Sequence, residues 1–265
     1  MKLLINHRTQ YAYDAPVGYT LQKVRLRPQR SIMQEVVEWD LTIDGGRVEA
    51  SYMDHYANHV DLVSAEIGVR ELVITAKGEV KTHDAAGVLG QVYGRAPLWH
   101  FVQPTALTQA DTAIKTLSKI IRDSDTVLNG MHALSSAVLS AVPYEIGQTQ
   151  ATTTAAEAME IGKGVCQDHA NIFIAAARAA SIPARYVSGY LMMNDRVDQD
   201  ASHAWAEVHL DGLGWVGFDV SNGVSPDERY VRLATGRDAR DAAPISGLRM
   251  GASDESLVVS LQVQQ

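Results

Sequence analysis

The chain has 265 residues, 46% of them apolar, and a formal charge of −8. That length can bury a sizeable core in one large domain or two ordinary ones, and the acidic balance argues against a nucleic-acid partner, which needs a basic footprint. The single cysteine excludes an internal disulfide and a cysteine-rich zinc site. Met1 to His7 turns polar too soon for a secretory signal, and no apolar run approaches a membrane span. A soluble, cytoplasmic protein with no membrane partner is expected.

Residues 1 to about 85 read as strands: Leu3 to Tyr13, Gln22 to Pro28, Val36 to Ile43, Val48 to Met53, His59 to Ser64 and Arg70 to Lys77. Their β-branched or alternating patterns are separated by turn signals such as Asp44-Gly45-Gly46. Short, evenly spaced strands without a strong helix suggest an antiparallel β-sandwich. Lys23, Arg25, Arg27 and Arg30 alternate with Val24 and Leu26, which reads as the wet face of a strand. His55 and His59 have a spacing that could bind metal on a helix, but their neighbours read as a loop, so no metal is expected. Residues 83–110 are punctuated by Ala86-Gly87, Gly90, Gly94, Pro97 and Pro104 and read as a linker. The division is therefore 1–100 for the β-rich domain and 105–265 for a second domain.

Helical periodicity then begins. Ala113, Ile114, Leu117, Ile120 and Ile121 form one stripe behind an Asp111 N-cap. A second stripe runs from Val127 to Val142 and is stopped by Pro143. Thr154 and Glu157 make a capping-box pattern, and Gly162 is placed to end that helix in a left-handed cap. The stretch Gly164-Val165-Cys166-Gln167-Asp168-His169-Ala170 then opens an alanine-rich apolar run that ends near Pro183. Cys166 falls in the first turn, where unpaired N–H groups and the positive dipole end favour an anion, hence a thiolate. The plainer alternative is a small buried hydrophobe.

Strands follow: Arg185 to Met192, His203 to Leu210 and Trp215 to Val220, the last two joined by a turn at Asp211-Gly212. Parity carries the argument here. Side chains alternate between faces, so His203, Trp205, Glu207 and His209 share one face, and Trp215, Gly217 and Asp219 share one face of the next strand. A tight turn pairs odd with odd, which sets His203 opposite or diagonal to Asp219. One imidazole nitrogen could then be held by the carboxylate while the other meets a thiol. A buried aspartate needs a partner in any case. Glu207 and His209 would serve if the register slipped. Gly212-x-Gly214-x-x-Gly217 matches a dinucleotide fingerprint by letter only, since no helix follows it.

Gly-Val-Cys-Gln-Asp-His-Ala (164–170), Ile-Pro-Ala-Arg-Tyr-Val-Ser-Gly-Tyr (182–190), Ser-His-Ala-Trp-Ala-Glu-Val (202–208) and Gly-Trp-Val-Gly-Phe-Asp (214–219) resemble the bacterial transglutaminase-like family. That family belongs to the papain-like cysteine-enzyme superfamily. The resemblance extends to Gly-Arg-Asp (236–238) with Asp241, Ala243, Pro244 and Gly247, and the N-terminal region is similar to the β-rich domain that often precedes this core. It implies an α+β fold: an N-terminal antiparallel β-sandwich, then a papain/transglutaminase-like core with the nucleophile helix on an antiparallel sheet. It also implies that Cys166 is the nucleophile, His203 the base and Asp219 the residue that orients it. Two departures stand out: Asp219-Val220-Ser221-Asn222 replaces the family's Asp-Pro-Thr-Asn, and Ala57-Asn58 replaces its Gly-Asn turn.

A triad of this kind runs amide or acyl chemistry through a thioester. Hydrolysis of a peptide, protein or small amide is the expectation, with amine transfer and a decayed binding or scaffolding protein as alternatives. The backbone N–H of Cys166 and a second donor would hold the oxyanion; Tyr144, Gln148 and Gln167 are the candidates. Trp205 and Trp215 are the candidates for the substrate cleft. No cofactor is expected.

Overall fold

The computed structural model describes residues 1–91, 95–250 and 255–265. Gly94, one of the expected breaks, lies outside the described residues. The N-terminal part folds as β1 (Lys2–Tyr13), β2 (Tyr19–Val24), β3 (Gln34–Asp44), β4 (Gly46–Met53), β5 (His59–Ala65) and β6 (Glu71–Thr82). A short β7 (Val88–Gly90) and a 3-10 turn at Leu98–Phe101 lead to α1 (Thr112–Leu117), α2 (Lys119–Arg122), α3 (Val127–Ala141), α4 (Ala155–Ile161) and α5 (Cys166–Ala179). The chain returns to strands in β8 (Ala184–Leu191), β9 (Asp198–Gln199), β10 (His203–Leu210), β11 (Gly214–Phe218), β12 (Tyr230–Gly236), β13 (Ile245–Met250) and β14 (Glu255–Gln264).

These strands make three sheets, ordered β3-β6-β1-β14-β9, β13-β2-β5-β4 and β12-β8-β10-β11-β7. In β1 every second side chain, from Leu3 to Tyr13, points inward and is buried. Leu3 and Ile5 of the first sheet meet Val24 and Val63 of the second in one apolar cluster, which also takes in Tyr190 and Val231 from the third. Burial of this alternating face is what holds the two N-terminal sheets together.

The expected division into 1–100 and 105–265 does not describe how the strands pair. β14 runs antiparallel along β1, and β13 along β2, so the last strands of the chain complete the N-terminal sheets. In the other direction β7, from within the expected linker, pairs with β11 of the core sheet. The physical reason is edge satisfaction. β1 is long and apolar on one face, and its second edge needs a partner that local sequence pattern cannot point to.

The core sheet is covered on both faces. On one, Ala204, Ala206, Val208 and Leu210 of β10 pack in the same cluster as Ile172, Phe173 and the alanines of α5, with Met131 and Leu134 of α3 behind. Alanines on both elements let helix and strand approach closely, which seats the start of α5 beside the start of β10. The other face carries the odd-numbered side chains and is covered by the N-terminal region. Helix ends follow local chemistry: Asp111 accepts from Ile114 N–H, Thr154 and Glu157 form a reciprocal capping box, and Gly162 closes α4 at φ 69°. Among the described residues no helix is long and apolar enough to cross a membrane.

Candidate active site

Cys166 is the first residue of α5 and is half-buried. The turn that delivers it is held by Asp168, whose Oδ2 accepts from Val165 N–H at 2.8 Å and from Thr149 Oγ1 at 2.6 Å. Gly164 is dictated by the same carboxylate, because a Cβ there would lie 2.8 Å from Asp168 Oδ2. The backbone of Gly164 also pairs with the segment after α3: Glu145 N–H donates to Gly164 O at 2.8 Å. This pairing sets Tyr144 beside Gly164, two residues before the thiol.

His203 opens β10 and is 8% exposed. The ladder to β11 pairs Glu207 with Gly217 and His209 with Trp215, odd with odd, about a turn centred on Gly212. Asp219 follows the last residue of β11 and lies diagonal to His203. His203 Nε2 and Asp219 Oδ2 are 2.6 Å apart. Asp219 is fully buried, and its Oδ2 also accepts from Tyr230 Oη at 2.7 Å and Asn222 Nδ2 at 2.7 Å. Cys166 also lies near enough to His203 to act on its titration. Burial alone would lower the pKa of His203. The hydrogen bonds from Asp219 and Cys166, and the charges of both, overcome it and raise the value to about 10. Asp219 shows the mirror image: burial works to raise its pKa, but His203, Asn222 and Tyr230 hold it below the usual carboxylate range.

His169 completes the brace. It is 1% exposed, with Nε2 2.7 Å from Val142 O and Nδ1 2.7 Å from Ser221 Oγ. The carbonyl can only accept, so Nε2 carries the proton and Nδ1 accepts from the serine hydroxyl. Burial lowers the pKa of His169 and keeps it neutral at ordinary pH. Ser221 stands two residues after Asp219, so α5 and the loop bearing the carboxylate are tied together.

The chain matches the transglutaminase-like superfamily over residues 114–220 and the bacterial transglutaminase-like N-terminal region over residues 3–81. The chain belongs to the bacterial transglutaminase-like family. An uncharacterized protein of Mycobacterium tuberculosis is 29% identical, covering 98% of this chain and 91% of the relative. One from Mycobacterium leprae is 26% identical, covering 98% of each. A crystal structure from Cytophaga hutchinsonii, described as a candidate cysteine protease, superposes with a TM-score of 0.77 at 24% identity, covering 100% of this chain and 98% of that one. It has the same fold.

The family's motifs thus converge on one place, while the other expected site residues scatter. Trp205 and Trp215 do not line a substrate cleft: they are 1% and 2% exposed. Trp205 packs against His203 and Tyr230, over Gly189, where any Cβ would strike its ring. Trp215 packs against Phe101 beneath the guanidinium of Arg185. Trp205 is covered by Val187, Leu191 and Tyr230 of the core sheet, and Trp215 by Met33 and Tyr56 of the N-terminal region together with Leu89 and Phe101. Gln148 donates to Glu145 at 2.9 Å, and the Gln167 side chain reaches back to Ala151 O at 3.3 Å. Tyr144 differs from both. It is half exposed, and its pKa is raised first by burial and then by the charges of Cys166 and Asp219. Glu207 cannot replace Asp219, since Arg185 and Arg232 occupy it. Sequence reasoning missed Tyr230, Asn222 and His169. Asn222 was legible as the last letter of the Asp-x-x-Asn run; Tyr230 and His169 depend on tertiary contacts.

Proposed function

We propose that this chain is a thiol hydrolase of amide bonds in peptides, proteins or small amides, with Cys166 as nucleophile, His203 as general base and acid, and Asp219 as the residue that orients the imidazole. The observation that carries the reading is the 2.6 Å pairing of His203 with the buried carboxylate of Asp219, with Cys166 near enough to raise the pKa of the same imidazole. The thiolate sulfur attacks the carbonyl carbon, and the backbone N–H of Cys166 at the start of α5 donates to the oxyanion. Tyr144 is the side chain best placed to be the second donor. The C–N bond breaks as the imidazolium of His203 gives its proton to the leaving amine, leaving a thioester. Water then attacks; His203 takes its proton, and the acid and free thiol are released.

Hydrolysis is preferred to amine transfer because nothing in the residues around Cys166 marks a dry acceptor site for an amine. A lone thiol with no disulfide partner suits a reducing, cytoplasmic setting. The test is incubation with a peptide library, with trapping of the thioester on Cys166 and Cys166→Ala as control. Free acid released by the native chain alone supports the reading. Mass addition from an amine with no free acid would shift it to acyl transfer. Absence of any adduct would point to a binding protein.

A further inference from the structure

A second cavity of about 870 Å³ lies on the seam between the N-terminal strands and the core sheet, and none of Cys166, His203 and Asp219 lines it. Its volume falls in the range of small-molecule sites. The walls are of two kinds. Ile32, Trp39 and Leu89 supply apolar surface, and Arg30, Arg185 and Arg232 supply positive charge. The basic run expected to be a wet strand face is divided here. Lys23 is exposed and Arg25 buried, while Arg27, held by Asp61 at 2.8 Å, and Arg30 both stand at the cavity.

Buried polar groups in folded proteins are nearly always hydrogen-bonded. Two groups in these walls are not. Nη2 of Arg185 and Nε1 of Trp39 are buried without a hydrogen-bond partner among the described residues. Both can only donate. The local charge is also unbalanced, because Arg185 and Arg232 share a single carboxylate, Glu207. Burial pushes the pKa of Arg185 down to about 10 in spite of Glu207, so its charge is held at a cost.

We propose that this cavity binds a small amphipathic carboxylate, whose oxygens accept from Arg185 and Trp39 and whose apolar body lies along Ile32 and Leu89. The chemical class follows from what the walls lack. Two unmet donors ask for acceptors, the excess of guanidinium groups over carboxylates asks for negative charge, and the apolar wall asks for a hydrocarbon body. Inorganic phosphate brings no apolar surface, a neutral alcohol brings no charge, and an amine would be repelled. This site is independent of the thiol chemistry proposed above.

The experiment is calorimetric titration of the full chain with decanoate, using decan-1-ol and inorganic phosphate as comparisons. Decanoate should bind one to one and saturably, and the other two at least about tenfold more weakly. Trp39→Phe keeps the ring and removes one donor, and should weaken decanoate by about tenfold. Arg30→Gln, at an exposed position, should weaken it by about twofold to fivefold. Arg185→Gln is avoided because it strips a partner from Glu207 and tests folding as much as binding. Cys166→Ala should bind decanoate as the native chain does. No saturable binding, equal binding of decan-1-ol or phosphate, or an unchanged affinity in Trp39→Phe would overturn the proposal. A changed affinity in Cys166→Ala would overturn the independence of the two sites.

Discussion

β10 carries two buried ionic clusters on one face, four residues apart, and they are built to opposite ends. At Glu207 both oxygens are occupied. Oε1 accepts from Arg232 Nε at 2.8 Å, and Oε2 accepts from Arg185 Nε at 2.6 Å and Arg232 Nη2 at 3.0 Å. Gln34 exchanges hydrogen bonds with the backbone of Arg232, so this cluster docks the N-terminal region onto the core sheet. At His203 one nitrogen is held just as tightly by Asp219, and the half-buried Cys166 acts on the same imidazole. A carboxylate with both oxygens occupied by buried arginines fixes structure. A network left with a reactive partner and a path to solvent is suited to chemistry.

The largest test of this contrast is Asp219→Asn. Under the proposed function it should lower kcat/KM on the order of 10³–10⁴-fold through a misoriented imidazole, as loss of the equivalent carboxylate does in other triads. Assay with any substrate found by thioester trapping would measure it. Glu207→Gln should do the reverse. Breaking a buried ion-paired cluster costs about 3–5 kcal/mol of stability, read from denaturant midpoints, while turnover per folded molecule should hold. If Glu207→Gln abolished turnover in a folded chain, the two clusters would not be separate in role.

The pH dependence sharpens the contrast further. His203 has its pKa raised from 6.5 to about 10 on folding. Its contribution to stability is therefore fully present below pH 6.5, declines above it, and is gone once pH has passed about 10. The stability difference between the native chain and His203→Gln, followed by denaturant unfolding, should shrink over that window. A difference that stayed flat across it would mean that the imidazole is not held as an imidazolium. The smallest expected effect is at Ala57, which has φ 64°. Ala57→Gly should raise stability by about 0.5–1 kcal/mol, visible as a higher thermal midpoint, because glycine reaches the left-handed region without a Cβ clash.

Much of the fold was legible because its signals are local. The Thr154–Glu157 capping box, the Gly162 cap, the start of α5 at Cys166 and the span of β10 all follow from neighbours within a few residues. The diagonal between His203 and Asp219 came from strand parity and a tight turn. What escaped was non-local. The sequence alone yields no strand over β13 or β14, and that they join β2 and β1 depends on residues more than two hundred positions away. The burial of Trp205 and Trp215 escaped for a related reason: period-two alternation says which residues share a face and not what covers it.

By itself, then, the amino-acid order determined where the helices and most of the longer strands before Val220 lie, which of their side chains share a face, and that one thiol stands at a helix start with an imidazole and a carboxylate on neighbouring strands. Only the tertiary structure decided that the N-terminal sheets close over the second face of the core. That closure buries Trp215, packs Gln34 against the backbone of Arg232, and leaves a cation-lined cavity at the seam. Periodicity is a property of neighbours along the chain, whereas closure depends on how surfaces distant in sequence fit and on which buried charges find partners.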